Sequence, residues 1–294
     1  MTYLVVYRKA TNHATSKGNV VLKSGADLIW SLESVVHSDD TYDVRDPSIS
    51  KLADGTVIVS CFIYDHVTPA SLAQAVRILI SDDSGVTWGS PITIVDGFTD
   101  HSACCSPVVE LGDGTLLLAF YGKDTGDTYR SIRIVSSADS GATWGNEVVV
   151  ASGETDSKDY SEPNLLVLSN GNLICLIRTS ANIYISTSTD SGDTWSGASS
   201  VFVGTGCPHV MQLSTGDLVC CYRSTTNKRA ALRVSSDNGA NWSDEAIFDT
   251  TMYNQMLYAV PIESNGALCI FYALELSGAD ANVMLKKLVF SELP

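Results

Sequence analysis

Short apolar runs rich in β-branched residues recur along this chain, as in Val76-Arg77-Ile78-Leu79-Ile80 and Ile132-Arg133-Ile134-Val135, and polar turn residues separate them. Runs of this kind predict strands. No helical period stands out apart from one weak candidate over Pro69–Val76. After four of the runs the same phrase returns, Ser-x-Asp-x-Gly-x-(Thr or Asn)-Trp, at Ser81–Trp88, Ser137–Trp144, Ser188–Trp195 and Ser235–Trp242. It uses four of the five tryptophans, and these lie 56, 51 and 47 residues apart. The Asp-x-Gly centre is turn chemistry: Asp bonds nearby backbone N–H groups, and Gly accepts φ > 0. The Trp is expected to plug the turn against the sheet. Each phrase therefore reads as a hairpin corner and a folding staple, not as catalytic machinery.

A second repeat runs in step with the first. It spans Pro47 to Gly55, Pro107 to Gly114, Pro163 to Gly171 and Pro208 to Gly216, with a looser copy from Tyr258 to Gly266. Each copy is strand, tight turn, strand. Two hairpins per period predict a four-stranded antiparallel sheet, and such sheets repeated around an axis form a β-propeller. The expected fold is all-β: a six-bladed β-propeller, with five blades as the alternative. The sixth blade draws on Tyr3–Tyr7, Asn19–Lys23 and Val283–Phe290. Residues 1–294 are expected to be one domain, its last blade closed by both termini.

Composition agrees with one compact domain, since the 294 residues are 45% hydrophobic and 17% charged with 22 Gly, and no linker divides them. No apolar run reaches the ~18 residues of a membrane span. Met1 to Lys9 is too short and too polar for a signal peptide, which leaves the compartment open. The formal net charge of −15 argues against nucleic acid and acidic membranes as partners. Five of the eight cysteines, Cys61, Cys175, Cys220, Cys221 and Cys269, follow the repeat glycines at core positions, and no Cys-x-x-Cys pair occurs. They read as reduced core residues, with no metal site and no cofactor.

Chemistry is expected where the second-repeat strands begin. Arg45-Asp46, Cys105-Ser106, Ser161-Glu162, Cys207 and Leu257-Tyr258 stand there, and Arg178 ends the strand after Glu162. Charges beside a core are costly unless paired. They either form local ion pairs, Arg45 with Asp46 and Glu162 with Arg178, or serve a ligand. Tyr64, Tyr121, Tyr222 and Tyr272 fall near strand ends and could line the same region. His101 and His209 read as structural hydrogen-bonding residues.

With its four Asp-box phrases in register, the chain resembles the sialidase (neuraminidase) superfamily over nearly its whole length. The resemblance implies an exo-α-sialidase-like glycoside hydrolase that releases terminal sialic acids from glycans by a retaining, metal-free mechanism. It also implies an arginine triad for the substrate carboxylate. Arg45 lies ten residues before Gly55 in an Arg-Asp-Pro sequence, where the family has Arg-Ile-Pro and Asp46 takes the place of Ile. Arg178 follows Glu162 by 16 residues across a Ser-Asn-Gly turn. Arg229 fits the third place, with Arg223 as its rival. The resemblance further implies a tyrosine nucleophile, Tyr258, 29 residues past Arg229 and one step from the ideal register at Leu257, with Tyr253 as the fallback. Glu162 would be its base, and Asp65 the general acid beside His66, with Asp46 or Asp100 as alternatives. Expected partners are sialylated or other acidic glycans. A related glycosidase for another sugar, or a non-catalytic glycan-binding propeller, stays open beside it.

Overall fold

The computed structural model describes residues 3–11, 16–26, 29–66, 73–94, 98–225, 228–249, 255–275, 281–289 and 293. Six antiparallel sheets follow one another along the chain, a six-bladed β-propeller that is almost entirely β. They belong to two compact units, Met1–Val149 and Val150–Pro294.

In the first unit, β1 (Tyr3–Lys9), β2 (Asn19–Ala26), β3 (Ile29–Trp30) and β4 (Ser34–His37) make the first sheet, with β3 and β4 both along β2. The second is the meander β5 (Asp43–Lys51), β6 (Val57–Tyr64), β7 (Ala73–Ser81) and β8 (Ile92–Ile94). The third holds β9 (His101–Ala103), β10 (Val109–Glu110), β11 (Leu116–Lys123), β12 (Ser131–Ser137) and β13 (Gly145–Ala151). Here the expected first strand is split in two, because Cys104 to Val108 leaves the ladder. Two of the freed carbonyls are satisfied by the second sheet: Ser48 Oγ donates to Cys105 O at 2.7 Å and Ser60 Oγ to Ser106 O at 2.8 Å.

The second unit begins with the last two residues of β13, and α1 (Gly153–Asp156) follows, a single turn that the sequence pattern did not signal. Ser152 Oγ caps it by accepting from Thr155 N at 3.2 Å. Three meanders follow: β14 (Ser161–Val167), β15 (Leu173–Arg178), β16 (Asn182–Ser188) and β17 (Ser199–Val203); then β18 (Thr205–Gln212), β19 (Leu218–Arg223), β20 (Ala230–Ser235) and β21 (Ala246–Asp249); then β22 (Gln255–Ser264), β23 (Ala267–Glu275) and β24 (Ala281–Val289). At the chain ends, β1 pairs with β2 and β24 with β23. The helical candidate over Pro69–Val76 is corrected: the chain is strand from Ala73 onward, and residues 67–72 lie outside the described residues.

Strand alternation fills the space between sheets. On β19, Leu218, Cys220 and Tyr222 pack against the fourth sheet, while Val219 and Cys221 pack against the sixth. A strand buried on both faces reads as a continuous apolar run, as this one does. The vicinal thiols Cys220 and Cys221 therefore point into different cores. All eight cysteines are buried and free. Burial alone pushes the Cys61 thiol up to about 12, despite the opposing charge of Arg77.

The Asp-box turns share one hydrogen-bond plan. In the second sheet, Gly85 N donates to Ser81 Oγ, Ser81 Oγ to Asp83 Oδ1, and Thr87 N to Asp83 Oδ1, each at 2.8 Å. The same bonds recur around Asp139, Asp190 and Asp237. Three of the tryptophans donate Nε1–H to the box glycine carbonyl at 2.9–3.0 Å, Trp144 among them. Each box tryptophan is half-buried. A Cβ added to Gly239, at φ +91°, would meet Ile185 of the preceding sheet at 2.8 Å. A side chain of the following sheet also clasps the hairpin turn of the one before it. Glu110 accepts from Ala53 N, Gln212 from Ser169 N and Glu263 from Ser214 N, at 2.6–2.7 Å.

Candidate functional site

In the first unit the chemistry gathers around Asp43, which is fully buried. Residues two apart on a strand share a face, so Asp43 and Arg45 lie together on β5. Arg45 Nε donates to Asp43 Oδ2 at 2.5 Å. Arg8, from β1, adds two bonds of 2.9 Å, from Nε to Oδ1 and from Nη2 to Oδ2. Gly18 N donates at 2.7 Å, and His66 Nε2 lies 2.9 Å from Oδ2. An ionised carboxylate only accepts, so His66 carries its proton on Nε2. Burial pushes the Asp43 carboxyl up, but the bonds from Arg8, Arg45 and His66 outweigh it and hold the carboxyl below its ordinary value. The Arg45 guanidinium lies 4.5 Å over the Tyr64 ring. Asp65 is buried just past the end of β6, and Asp46 is half-buried beside Arg45. Asp100, an alternative acid, pairs with Lys123 at 3.0 Å.

In the second unit, Glu162 and Arg178 face each other across the β14–β15 hairpin, where Ser161 is registered with Arg178. Arg178 Nη1 donates to Glu162 Oε1 at 2.5 Å. Glu162 Oε2 is buried and has no partner among the described residues. Burial pushes the Arg178 pKa down, but Glu162 overrides it and, with smaller help from Tyr258 and Cys207, leaves it above the ordinary value. Arg223, the last residue of β19, goes the other way. Burial and then the charge of Arg178 lower it, and Glu162 and Tyr258 offset this only in part. Glu162, Arg178, Arg223 and Tyr258 thus form one electrostatic group. Arg229 closes the turn before β20, where its carbonyl accepts from Ser224 N at 2.9 Å. Tyr253 lies outside the described residues. Tyr222 is fully buried, its hydroxyl donating to Glu245 at 2.7 Å, and Tyr121 and Tyr272 are also buried.

Backbone geometry singles out three of these positions. Asp46, Glu162 and Tyr258 have φ of 46°, 45° and 41°, each at an irregularity near the start of the inner strand of its sheet. The fifth sheet has Gly206, at φ 81°, in the corresponding bulge. A left-handed φ is unusual for a carboxylate residue and more so for a bulky aromatic one. Bulges of this kind re-aim a side chain, and strain of this kind clusters at functional sites. The Tyr258 bulge also explains its offset from the Gly266 register. Leu257 pairs with Ala273 and Ala259 with Tyr272, which leaves Tyr258 as the extra residue.

Sequence reasoning passed over Asp43 and Arg8. Asp43 carried a signal, because it shares a strand face with Arg45. Arg8 carried none, since it comes from another sheet 35 residues away. Among the described residues, no group of three or more His, Cys, Asp or Glu side chains could hold a metal ion. No helix there is long and apolar enough to cross a membrane.

No curated protein matches this sequence significantly. Among solved structures, a Dyadobacter fermentans protein of unknown function superposes with a TM-score of 0.84 at 17% identity, over 98% of this chain and 91% of that one. A Hadza microbial sialidase superposes at 0.81 and 17% identity, over all of this chain and 64% of that one. The intramolecular trans-sialidase of Ruminococcus gnavus, solved with oseltamivir carboxylate, gives 0.76 at 12% identity over 99% and 92%. At these identities the likeness is one of fold. The sequence model of the BNR repeat-like domain matches residues 4–270, and the chain belongs to that family.

Proposed function

We propose that this protein is a sialidase-like retaining glycoside hydrolase acting on terminal sialic acids. The observation that carries this is the pair Arg178 and Arg223. Arg178 is bonded to the Glu162 carboxylate at 2.5 Å, and the Arg223 guanidinium stands near enough to both that the charge of Arg178 lowers its pKa and that of Glu162 raises it. That group has a net positive charge and wants an anion. A carboxylate on the substrate supplies it through charge-assisted hydrogen bonds of about 1.5–3 kcal/mol each. The overall charge of −15 does not oppose this, because charges beyond ~8–10 Å are screened.

In this proposal Arg178 and Arg223 bind the sugar carboxylate, Arg223 taking the place expected of Arg229. A carboxylate nucleophile would be repelled by an anionic sugar, whereas a neutral phenol is not. Tyr258 Oη attacks the anomeric carbon while Glu162 Oε2, without a partner among the described residues, accepts the phenolic proton. A general acid gives its proton to the departing glycosidic oxygen. It then takes one from the water that displaces the tyrosine, and Glu162 returns its proton to the phenolate. Both displacements invert, so configuration is retained. A second reading, a related glycosidase for another sugar, is favoured by Asp46, whose carboxylate would accept from a sugar hydroxyl.

The test is fluorophore release from an aryl sialoside beside a panel of neutral aryl glycosides. Selective release from the sialoside is expected. Arg223→Ala is expected to weaken binding by about 2–4 kcal/mol, and Arg229→Ala to leave it nearly unchanged. Turnover of a neutral glycoside in preference would replace the sialidase reading with the second one.

A further inference from the structure

Between the strands that carry Glu162 and Tyr258 runs a third, β18, which packs against both β14 and β22. It is tied to the Glu162 strand by a buried side chain: Asn164, two residues past Glu162, accepts from Val210 N through Oδ1 at 3.0 Å. The residue before Val210 is His209, 7% exposed and just past the left-handed Gly206 bulge. Its ring stands edge-to-face with Tyr258, centroids 6.4 Å apart and planes at 88°. The Tyr258 backbone is in the left-handed region, and Tyr258 is the extra residue of the bulge, which re-aims its side chain.

We propose that His209 is a positioning residue for Tyr258. Its imidazole fixes the plane of the phenol ring, and through Asn164 that plane is referenced to the strand bearing Glu162. The proposal rests on the reading of Tyr258 as nucleophile. Its physical content is the ring contact, which can be tested without turnover. In this proposal His209 acts through the tyrosine. An edge-to-face pair of this kind changes an equilibrium or a rate by about three- to tenfold.

The test uses His209→Ala, which removes the ring, and His209→Phe, which keeps an aromatic ring in its place. The full chain is labelled with 3-fluorotyrosine, and Tyr258→Phe assigns the 258 resonance in the 19F spectrum. In His209→Ala that line is expected to move toward the position of an exposed tyrosine and broaden, and in His209→Phe to stay near the wild-type position. With an aryl sialoside, His209→Ala is expected to lower kcat about three- to tenfold with little change in KM, and His209→Phe to restore it. An unmoved 258 line in His209→Ala overturns the proposal, whatever the enzyme cleaves. A loss in kcat shared equally by the Ala and Phe variants also overturns it. A wild type that cleaves no sialoside, yet shows the line shift, overturns the hydrolase reading and upholds the positioning contact.

Discussion

Asp43→Asn is the sharpest perturbation available in the first unit, because it removes one charge and almost no volume. The Arg8 and Arg45 side chains beside it are only 14% and 15% exposed, and the Asp43 side chain is fully buried. Removing one member of a buried ion pair costs about 3–5 kcal/mol. The new amide keeps one acceptor oxygen for Arg8 or Gly18, which returns part of that. We expect a loss of about 3 kcal/mol at neutral pH by urea unfolding. The pH dependence gives a second handle. The Asp43 carboxyl is held below its ordinary value in the fold, so its stabilisation is present above the unfolded carboxylate pKa of about 4. It is lost as pH falls through the lower folded value. The gap between wild type and Asp43→Asn should therefore narrow only below about pH 4. A neutral-pH difference under about 1 kcal/mol, or a gap that does not change with acid, would show that the cluster is a solvated surface pair and refute this account.

Further outcomes follow from the boxes and the bulges. Trp144→Ala is expected to cost about 2–3 kcal/mol, below the value for full burial because the ring is half-buried. Trp144→Phe should cost about 1 kcal/mol for the lost bond to Gly141 O. Trp88→Phe should cost less, because Trp88 Nε1 is buried without a partner among the described residues; thermal melts of the two phenylalanine variants give the order directly. Glu162→Gly should be more stable than Glu162→Ala by about 1 kcal/mol, since only glycine relaxes at φ 45°. A more stable alanine variant in urea would remove the strain argument. The four box carboxylates are all depressed by bonds from their own turns, Asp83 to about 2 by Thr87 first and Ser81 after. Their stabilisation is complete above the unfolded value, so the protection of the Gly85 and Thr87 amides relative to the free peptide should fall only as pH drops below that value toward about 2.

What could be read from the chain and what could not have separate physical causes. Repeats write the sheets into the sequence, because each hairpin needs its own glycine and each box its own aspartate and tryptophan. The Glu162–Arg178 pair was legible for the same reason, as both residues belong to one hairpin with a countable turn. The approach of Arg223, and not Arg229, to Arg178 was not. Both flank the same turn, and only the alternation of β19 and the electrostatics at its end bring Arg223 to Arg178. A bulge adds a residue without a sequence mark, which is why Tyr258 stood one step off its expected register. The break in the third sheet was hidden similarly, because the serines that satisfy its carbonyls lie in another sheet. Half-burial of Trp144 could not be seen from a residue type that is usually buried.

The clasps give the fold a direction. A turn N–H at Ala53, Ser169 or Ser214 finds its acceptor only in the sheet that comes next, while a box glycine such as Gly239 presses back on the sheet before. The second, fourth and fifth sheets thus take a polar partner from their successor, and the second, third and fifth press a box glycine on their predecessor. A gene duplication that copied one hairpin pair would bring along an acceptor for the copy upstream and a glycine for the same neighbour. The inherited module is a sheet together with its two debts, and this lets copies drift far apart in sequence while remaining stackable in only one order.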